Sequence, residues 1–383
     1  MKIVFVSDCY PSKEQPQYCI FLQQQAKALM SFGHSVLVIR PILHSKENKK
    51  ECYTFCGVDI VDIFIRTSKI DNYYCNLYSR LYDMDINWLQ FDVVSIHLTS
   101  VPVFEAVIHI CSKLCVPTVV HFHGLNVWSD YYQKNSTIHK LYYWIQERRK
   151  LAYLKKVDAI VGVSNCVCEE VKKKINRNCI YTVYNGVDLN LFSSFYKCKP
   201  KQFTILCVAN LIPIKGHRFL LQAVANLHKQ GYNILVKLIG VGVEKDSLKN
   251  LAIELKLEDN VEFCGAKPYD VVAKFMSEAD MFIMPSYYEA FGCVYVEAMG
   301  SGVVTCGCNI LGASEIIQDQ VNGLLFKPKD VISIENAIKS ILLNPQLRKT
   351  IEQNAVERAK DFTWEQSAKQ LLSVYSKILT KDE

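Results

Sequence analysis

The amino-acid sequence predicts an α/β protein made of two halves, each built around a parallel β-sheet. Short apolar runs alternate with helix-like stretches along nearly the whole chain, as they do in strand–helix–strand units. The runs are rich in β-branched and aromatic residues, which suits strands that are covered by helices on both faces. With 383 residues, 50% of them hydrophobic, the chain is long enough for two domains that each bury a core.

The first half contains five apolar runs that predict strands and one clear helix. The helix covers 21–32 and is broken by Gly33, a residue that is unfavourable inside helices. An Asn-Gly turn within 180–188 closes this half. The predicted strands are 2–8, 35–41, 93–98, 117–124 and 158–164.

The second half repeats this pattern after a polar stretch, 193–202, which has a lysine cluster and Pro200 and predicts a linker. Because ligands of parallel sheets bind outside the carboxyl ends of the strands, functional residues are expected just after each strand. The predicted strands here are 203–210, 233–240, 261–266, 281–286 and 302–306, and three helices are predicted near 331–343, 345–360 and 364–379.

Composition excludes several classes of protein. The 44 basic and 38 acidic residues give a net charge of +6, which is too modest to predict nucleic-acid binding. No run of about 18 apolar residues predicts a membrane span, and the first residues lack the pattern of a signal peptide. The 16 cysteines include no C-x-x-C pair, so we expect free thiols in a reducing cytoplasm.

Two strand ends carry residues that could bind a ligand. His123, in His-Phe-His-Gly, follows the strand 117–124, although taken alone it is better explained as a loop histidine with structural hydrogen bonds. Lys215 and Gly216 precede a helix that starts at about His217. An ammonium, free backbone N–H groups and the helix dipole would converge there on an anion, but a Lys-Gly pair before a helix is common.

A third strand end carries two glutamates separated by seven residues. Glu289 lies in the loop after the strand 281–286, and Glu297 lies on a helix predicted from Phe291 to Met299. The two carboxylates could serve one ligand, while the backbone amides of 290–293 would bind an anion at the helix start. A capping Glu289 and a surface Glu297 are the alternative. Glu297 lies between apolar neighbours, however, where a carboxylate is costly without partners.

Taken in order, these motifs resemble those of the retaining glycosyltransferases of family 4, also called glycosyltransferase group 1, which have the GT-B fold. The resemblance covers nearly the whole chain and is strongest over 203–328, where Lys-Gly, PS-x-x-E-x-F-G, E-x7-E and NGLLFKP occur in the family's order. The Asn-Gly-Val-Asp segment at 185–188 extends it. The Gly-Val-Gly at 240–242 predicts a tight turn. It lacks the third glycine of a dinucleotide-binding motif, which argues against a dinucleotide-dependent oxidoreductase.

The resemblance implies two Rossmann-like domains with parallel sheets that face a central cleft. Their expected ranges are 1–192 for the acceptor side and 203–361 for the nucleotide sugar, with a C-terminal helix in 362–383 that returns towards the first domain. Lys215 would contact the donor diphosphate, Glu297 the ribose hydroxyls, Glu289 the transferred sugar, and His123 would lie near the reacting sugar. The expected donor site comprises Asn210, Lys215, Gly265, Glu289, Ala290, Phe291, Gly292, Cys293 and Glu297, with His123, Glu289 and Lys215 as its catalytic residues.

Several positions depart from the family pattern. Asn210 stands where many relatives carry a second cation for the diphosphate, so that Arg218 could supply the missing charge. Tyr18 and Cys19 replace a Gly-Gly pair that approaches the donor phosphates, and a Cβ there could require backbone adjustment. Ala290 replaces a frequent glycine, and Asn126 replaces an aspartate. None of these changes removes Glu289, Glu297, Lys215 or His123.

The net charge is concentrated in the segment 134–156, which has seven basic residues, one glutamate and interleaved aromatic residues. A helix with an apolar face packed on the sheet and a solvated basic face explains most of this pattern. The alternative is attachment to an anionic membrane surface, where a lipid-linked acceptor would reside. The protein would then be peripheral on the inner face of the membrane.

We therefore expect a retaining hexosyltransferase, independent of metal and of any cofactor, that moves a hexose or N-acetylhexosamine from a nucleotide diphosphate sugar to a glycan or lipid-linked saccharide in cell-surface polysaccharide synthesis. The Asp-Met-Asp at 83–85 resembles a metal motif but is common by chance. The alternatives are a sugar-nucleotide epimerase on the same fold and a non-catalytic binder of nucleotide sugars. A phosphorylase-like enzyme would need pyridoxal phosphate, which we expect to be absent.

Overall fold

A computed structural model describes residues 1–13, 15, 18–66, 81, 86–124, 137–195 and 202–380, without the side chains of 137–143. The chain forms two compact units, one made of Met1–Tyr184 with Trp364–Glu383 and the other of Asn185–Thr363. The division comes before the linker that we expected at 193–202, whose residues 196–201 lie outside the described part. The motifs predicted at 83–85 and Asn126 also lie outside it.

The first unit is an eight-stranded sheet with helices. Its sheet has the order β3-β4-β2-β1-β5-β6-β7-β8. Its strands are β1 (Lys2–Val6), β2 (Ser35–Leu43), β3 (Lys49–Phe55), β4 (Val58–Ile65), β5 (Val93–Ile96), β6 (Thr118–Phe122), β7 (Ala159–Gly162) and β8 (Ile180–Thr182). Its helices are α1 (Ile20–Ser31), α2 (Val101–Leu114), α3 (Thr137–Leu154), α4 (Asn165–Lys174) and the last helix of the chain, Trp364–Leu379, with a 3-10 turn at Trp88–Gln90.

The sheet is parallel except at its edge, where β3 runs antiparallel to β4. Neither strand of this hairpin was predicted from the sequence. The β3 strand is largely exposed and mixes polar with apolar residues, so it lacks the continuous apolar run of a covered strand. In the centre, by contrast, Ile3, Val4, Phe5 and Val6 of β1 are fully buried, as the apolar run predicts.

The second unit is a six-stranded, wholly parallel sheet in the order β11-β10-β9-β12-β13-β14. This is the Rossmann order 3-2-1-4-5-6, whose switch point lies between β9 and β12. Its strands are β9 (Phe203–Val208), β10 (Ile234–Ile239), β11 (Val261–Gly265), β12 (Met281–Met284), β13 (Val304–Cys308) and β14 (Leu324–Phe326). Its helices are α5 (Leu189–Phe192), α6 (His217–Lys229), α7 (Lys245–Glu254), α8 (Tyr269–Glu278), α9 (Cys293–Gly300), α10 (Leu311–Ile316), α11 (Val331–Leu343) and α12 (Pro345–Ala359), with 3-10 turns at Pro213–Lys215, Glu258–Asn260 and Lys360–Phe362.

Two segments near the division have clear packing partners. The short helix α5 belongs to the second unit, because the buried ring of Phe192 packs edge-on against Tyr269, with centroids 5.1 Å apart. The last helix, α13 (Trp364–Leu379), belongs to the first unit. Its buried Leu371 and Tyr375 join the core of β1 and α1, and Tyr375 Oη lies 2.9 Å from Ser95 Oγ.

The fold agrees with the predicted class of two parallel-sheet α/β domains, with the β3–β4 hairpin as an addition. All 14 cysteines of the described residues are free thiols. No helix within the described ranges is long and apolar enough to cross a membrane.

Candidate functional site

An ion pair lies at the carboxyl edge of the second sheet. Lys215 Nζ donates to Glu289 Oε2 at 2.5 Å, and the side chains are 19% and 16% exposed. Lys215 ends a 3-10 turn after β9, and Glu289 lies in the loop after β12. The adjacent strands β9 and β12 therefore bring together two residues that are 74 positions apart in the sequence.

Close backbone contacts hold these two loops together. The backbone of Tyr287 donates to Ile214 O at 3.1 Å, and the Ser286 hydroxyl lies 3.3 Å from the same oxygen. Gly216 has a positive φ of 69°, and a Cβ there would lie 2.3 Å from Pro285 O. The glycine that follows Lys215 is thus required by both its conformation and the approach of the neighbouring loop.

Glu297 is buried on α9, with 7% of its surface exposed. Its Oε1 accepts a hydrogen bond of 3.0 Å from Tyr269 Oη, the first residue of α8. Burial raises the pKa of Glu297 to about 7, against the opposing effect of the tyrosine hydroxyl. The apolar neighbours of Glu297 predict that this carboxylate needs a partner, but no spacing in the sequence points to Tyr269, 28 residues away.

The loop between the two glutamates is tightly packed around Gly292. Gly292 has a φ of 88° and is the N-cap of α9, so that helix begins at Cys293, two residues later than predicted. A Cβ at Gly292 would lie 2.5 Å from the Tyr295 ring and 3.0 Å from Glu289 Cγ. Gly292 therefore lets Glu289 and the first turn of α9 lie side by side.

The residues that follow Glu289 in this loop are buried in the second unit. Ala290 and Phe291 are buried, and the Phe291 ring lies 5.7 Å from that of Phe362. Gly312 of α10 donates its N–H to Glu289 O at 3.1 Å. The Cys293 thiol lies 3.5 Å from Asn185 Nδ2, and burial raises its pKa well above the usual value. The loop is thus anchored on both sides of Glu289.

The remaining predicted donor residues make fewer contacts. Gly265, at the end of β11, has a φ of 71° and accepts a hydrogen bond from Gly240 N at 2.9 Å. Asn210 is exposed after β9, and Arg218 is exposed in the first turn of α6. Next to Arg218, the buried His217 was not predicted as a functional residue, and burial lowers its pKa to about 4.

In the first unit, three histidines lie together at the carboxyl edge of the sheet. The rings of His97 and His121 are stacked with centroids 4.1 Å apart, and His97 Nδ1 lies 3.0 Å from His123 Nε2. His121 Nε2 lies 2.8 Å from Ser95 Oγ. Burial lowers the pKa of His123 to about 3 and also lowers those of His97 and His121, so all three are neutral at pH 7.

These histidines line a pocket of about 360 Å³. Asp8 and Lys150 line it as well, although neither was predicted as a site residue. Asp8 Oδ2 accepts a hydrogen bond of 2.6 Å from Ser100 N, and burial raises the pKa of Asp8 to about 7. Lys150 is buried, which contradicts the expectation that the basic residues of 134–156 are solvated. The reason is that α3 packs this position against Phe104 and Phe122.

Among the described residues, these three histidines are the group whose side-chain nitrogens lie close enough together to bind a metal ion. The potential ligand atoms of His97, His121 and His123 lie within 4.8 Å of one another. Two of the three rings already share a hydrogen bond, and the third bonds to Ser95. The Lys150 ammonium lines the same pocket and would repel a cation.

The loop before α1 keeps a glycine-like conformation without glycine. Cys19, the N-cap of α1, has a φ of 53°, in the left-handed region that favours glycine. The Cys9 sulfur lies 3.2 Å from Tyr18 Oη. Hydrogen bonding from Cys19 lowers the pKa of Cys9 to about 6, and burial opposes that shift.

Comparison with known families identifies both halves of the chain. Residues 192–358 match the family model described as glycosyl transferases group 1, and residues 20–191 match that of glycosyltransferase family 4. An uncharacterized glycosyltransferase of Methanocaldococcus jannaschii is 28% identical over 267 residues, which is 70% of either chain.

Solved structures share the fold over the full length. Sucrose-phosphate synthase of Thermosynechococcus elongatus superposes with a TM-score of 0.77 at 20% identity and covers 100% of both chains. HepE of Anabaena, solved in complex with UDP, has a TM-score of 0.75 at 19% identity over 98% of this chain and 100% of its own. At these identities, the similarity establishes the fold.

Proposed function

Because this chain belongs to the family 4 glycosyltransferases, also described as group 1, we propose that it transfers a hexose or N-acetylhexosamine from a nucleoside diphosphate sugar to a glycan or lipid-linked saccharide, with retention of anomeric configuration. The observation that carries the proposal is the Lys215–Glu289 pair beside the start of α9. An ammonium, a carboxylate and helix amides meet there, as a charged phosphate and a hydroxyl-rich sugar require.

In this proposal, Lys215 stabilises the diphosphate leaving group. Negative charge develops on the phosphate oxygens as the glycosidic bond breaks, and a cation that is already in place lowers the barrier without reorganisation. Glu289 holds Lys215 in the free protein. When the donor binds, the ammonium shifts to phosphate, and the carboxylate becomes available to sugar hydroxyls as an acceptor.

Glu297 accepts hydrogen bonds from the ribose hydroxyls. A carboxylate has two oxygens, and Tyr269 occupies Oε1, so Oε2 remains for the donor. The carboxyl must be ionised for this role. The pKa of about 7 means that it is close to half-ionised at neutral pH before the ligand arrives.

The first unit binds the acceptor, with His123 near the reacting sugar. As a neutral imidazole, His123 is a hydrogen-bonding group rather than a cation. Transfer into cell-surface polysaccharide, without metal or cofactor, is part of the same proposal. Its direct test is product analysis. Incubation with donor and candidate acceptors should yield a glycoside and release a nucleoside diphosphate.

The same product analysis separates the two alternatives. A sugar-nucleotide epimerase would interconvert the donor sugar without an acceptor and without releasing nucleoside diphosphate. A non-catalytic binder would bind the nucleotide sugar and leave it unchanged. The anomer of the product, read by NMR, tests retention.

Membrane attachment through 134–156 is a separate part of the proposal. Trp144 is 51% exposed on α3, and Arg148, Lys155 and Lys156 are exposed nearby. Arg149 is less available to contact a membrane than its place in this basic segment suggests, because it pairs with Glu105 of α2. Sedimentation with liposomes tests the idea. We expect binding to anionic vesicles only, and equal binding to neutral ones, or none, would contradict it.

A further inference from the structure

Lys150 is a buried cation whose partners are aromatic rings rather than anions. The residue is 9% exposed, and its Nζ lies 5.1 Å from the centroid of Phe104 and 5.2 Å from that of Phe122. No carboxylate, carbonyl or hydroxyl of the described residues accepts a hydrogen bond from it. A buried ammonium normally has such a partner, because desolvation is costly otherwise.

Two neighbouring cations in this part of the fold have carboxylate partners. Arg149 donates to Glu105 Oε1 at 2.7 Å, and Lys174 donates to Glu147 Oε1 at 2.7 Å. Lys150 directly follows Arg149 on α3, yet no carboxylate of the described residues pairs with it. Burial lowers its pKa to about 8, so it still carries a charge at pH 7. The fold therefore places a positive charge without a paired carboxylate on the wall of the pocket.

The same pocket offers an unpaired N–H donor. His97 Nε2 and His123 Nδ1 are buried and have no partner in the described part of the chain. The two neutral rings carry two protons, and one of these is used in the hydrogen bond between His97 Nδ1 and His123 Nε2. In either tautomer, the second proton resides on one of the two unpaired nitrogens. One of them is thus an N–H donor without a partner among the described residues.

Asp8 is the carboxyl among the residues that line the pocket. Its Oδ2 is held by Ser100 N at 2.6 Å, and burial raises its pKa to about 7, so that its negative charge is partial at neutral pH. Nothing pairs it with Lys150. Apart from Asp8, the charged group among the lining residues is Lys150, because the three histidines are neutral.

We propose that this pocket binds an anionic group of the acceptor, a phosphate or a carboxylate, with Lys150 as the counter-ion and the His97–His123 pair as a hydrogen-bond donor. The inference rests on the proposed function, in which the first unit holds the acceptor, and it narrows the acceptor to an acidic or phosphorylated saccharide. A divalent cation on the three histidines is the competing occupant, and the test includes it.

The test is a titration with inorganic phosphate and, at equal ionic strength, acetate, read by thermal shift and calorimetry. It is done in a Lys215→Met background, so that phosphate binding at the proposed donor site does not contribute. We expect saturable binding of at least one of the two anions, and a loss of affinity of about tenfold or more when Lys150→Met is added. Lys155→Met, an exposed lysine of the same segment, is the matched control and should change nothing.

Folding and the donor site are checked in the same samples. Without ligand, Lys150→Met should have a Tm equal to or above that of its parent, since it removes an unpaired buried charge. A UDP-sugar titration, done without the Lys215 substitution, should be unaffected by Lys150→Met. If UDP-sugars fail to bind while the anion effect persists, the donor proposal fails and the anion site stands.

Three results would overturn the anion site. The first is no saturable binding of either anion, and the second is equal binding with Lys150→Met. The third is stabilisation by Zn²⁺ alone that survives Lys150→Met and is lost with His97→Ala. A large drop in Tm for Lys150→Met would show that the ammonium has an internal structural role instead.

Discussion

Lys215 and Glu289 form an ion pair of 2.5 Å although they belong to loops that follow different strands of the second sheet. The pair is partly buried and is held by loop-to-loop backbone contacts through Ile214 and Tyr287. A partly buried pair of this kind is costly to form unless further groups satisfy it. The pair is therefore typical of a binding site in which the ammonium and the carboxylate separate and each contacts the ligand instead.

The first prediction concerns this pair. Lys215→Met should weaken nucleoside diphosphate binding roughly 10- to 100-fold, because it removes a charged contact to the diphosphate. Glu289→Gln should affect turnover more than nucleotide affinity, since Glu289 is proposed to bind the sugar. Calorimetry with UDP and initial rates with UDP-sugars measure the two effects. Lys237→Met, which removes a surface pair with Glu262, is the control and should match wild type.

The second prediction concerns the pH dependence that Glu297 causes. Its pKa of about 7 in the folded protein lies above the ordinary glutamate value of 4.5, so the folded state binds the proton more tightly. The unliganded protein should therefore lose stability as pH rises from about 4.5 through 7, by up to a few kcal/mol. Donor affinity should rise over the upper part of this range, because the ribose hydroxyls need the ionised form.

Two variants isolate this effect. Glu297→Gln should abolish the pH dependence of both stability and donor binding that arises from this group. Tyr269→Phe removes the hydroxyl that favours the charged form, so it should move the midpoint to higher pH. A midpoint unchanged in Tyr269→Phe would contradict the assignment of the titration to Glu297.

The third prediction tests the packing at Gly292. Gly292→Ala combines a φ of 88° with contacts of 2.5 Å to Tyr295 and 3.0 Å to Glu289, so it should destabilise the second unit by about 2–4 kcal/mol and displace Glu289. Gly231→Ala has a similar φ of 90° with no atom within 4 Å, and should cost only about 1–2 kcal/mol. Denaturant unfolding compares them. Equal losses in the free energy of unfolding would mean that the close contacts at Gly292 do not add to the cost of the substitution.

The fourth prediction concerns thiol reactivity. With a pKa of about 6, Cys9 should be largely thiolate at pH 6.5 and should react with iodoacetamide before the other described cysteines. Cys19→Ala removes the main cause of the lowered pKa and should slow the reaction at that pH, whereas Cys19→Ser should preserve it. Peptide mapping by mass spectrometry reads both rates. Labelling of Cys9 that is unaffected by Cys19→Ala would refute the coupling.

The sequence predicts what local apolar patterns determine. Ile3–Val6 and Met281–Met284 are continuous apolar runs, and both are central buried strands. Neither strand of the β3–β4 hairpin was predicted. The β3 strand is largely exposed and pairs with β4, so it lacks the apolar run of a covered strand, whereas β4 is largely buried. Helix α9 begins later than predicted, because Gly292 in a left-handed conformation caps it.

The order of the motifs predicts which residues form the site. It does not predict partners that are set by the packing of helices distant in the sequence. The pairing of Lys215 with Glu289 follows from two strand ends that meet at one sheet edge. The partner of Glu297, Tyr269, comes from the packing of α8 on α9, which no spacing encodes. Lys150 looked like one of several surface charges, and its burial against Phe104 and Phe122 is visible only in the fold.

The most direct test of the donor site is a thermal-shift panel of UDP-, GDP- and ADP-sugars on wild type and Glu297→Ala. One nucleotide class should raise the Tm of wild type progressively with concentration, as ligand linkage requires, and this rise should be strongly reduced in Glu297→Ala. No rise with any of the three classes, or an equal rise in wild type and Glu297→Ala, would contradict a nucleotide-sugar site built on Lys215, Glu289 and Glu297.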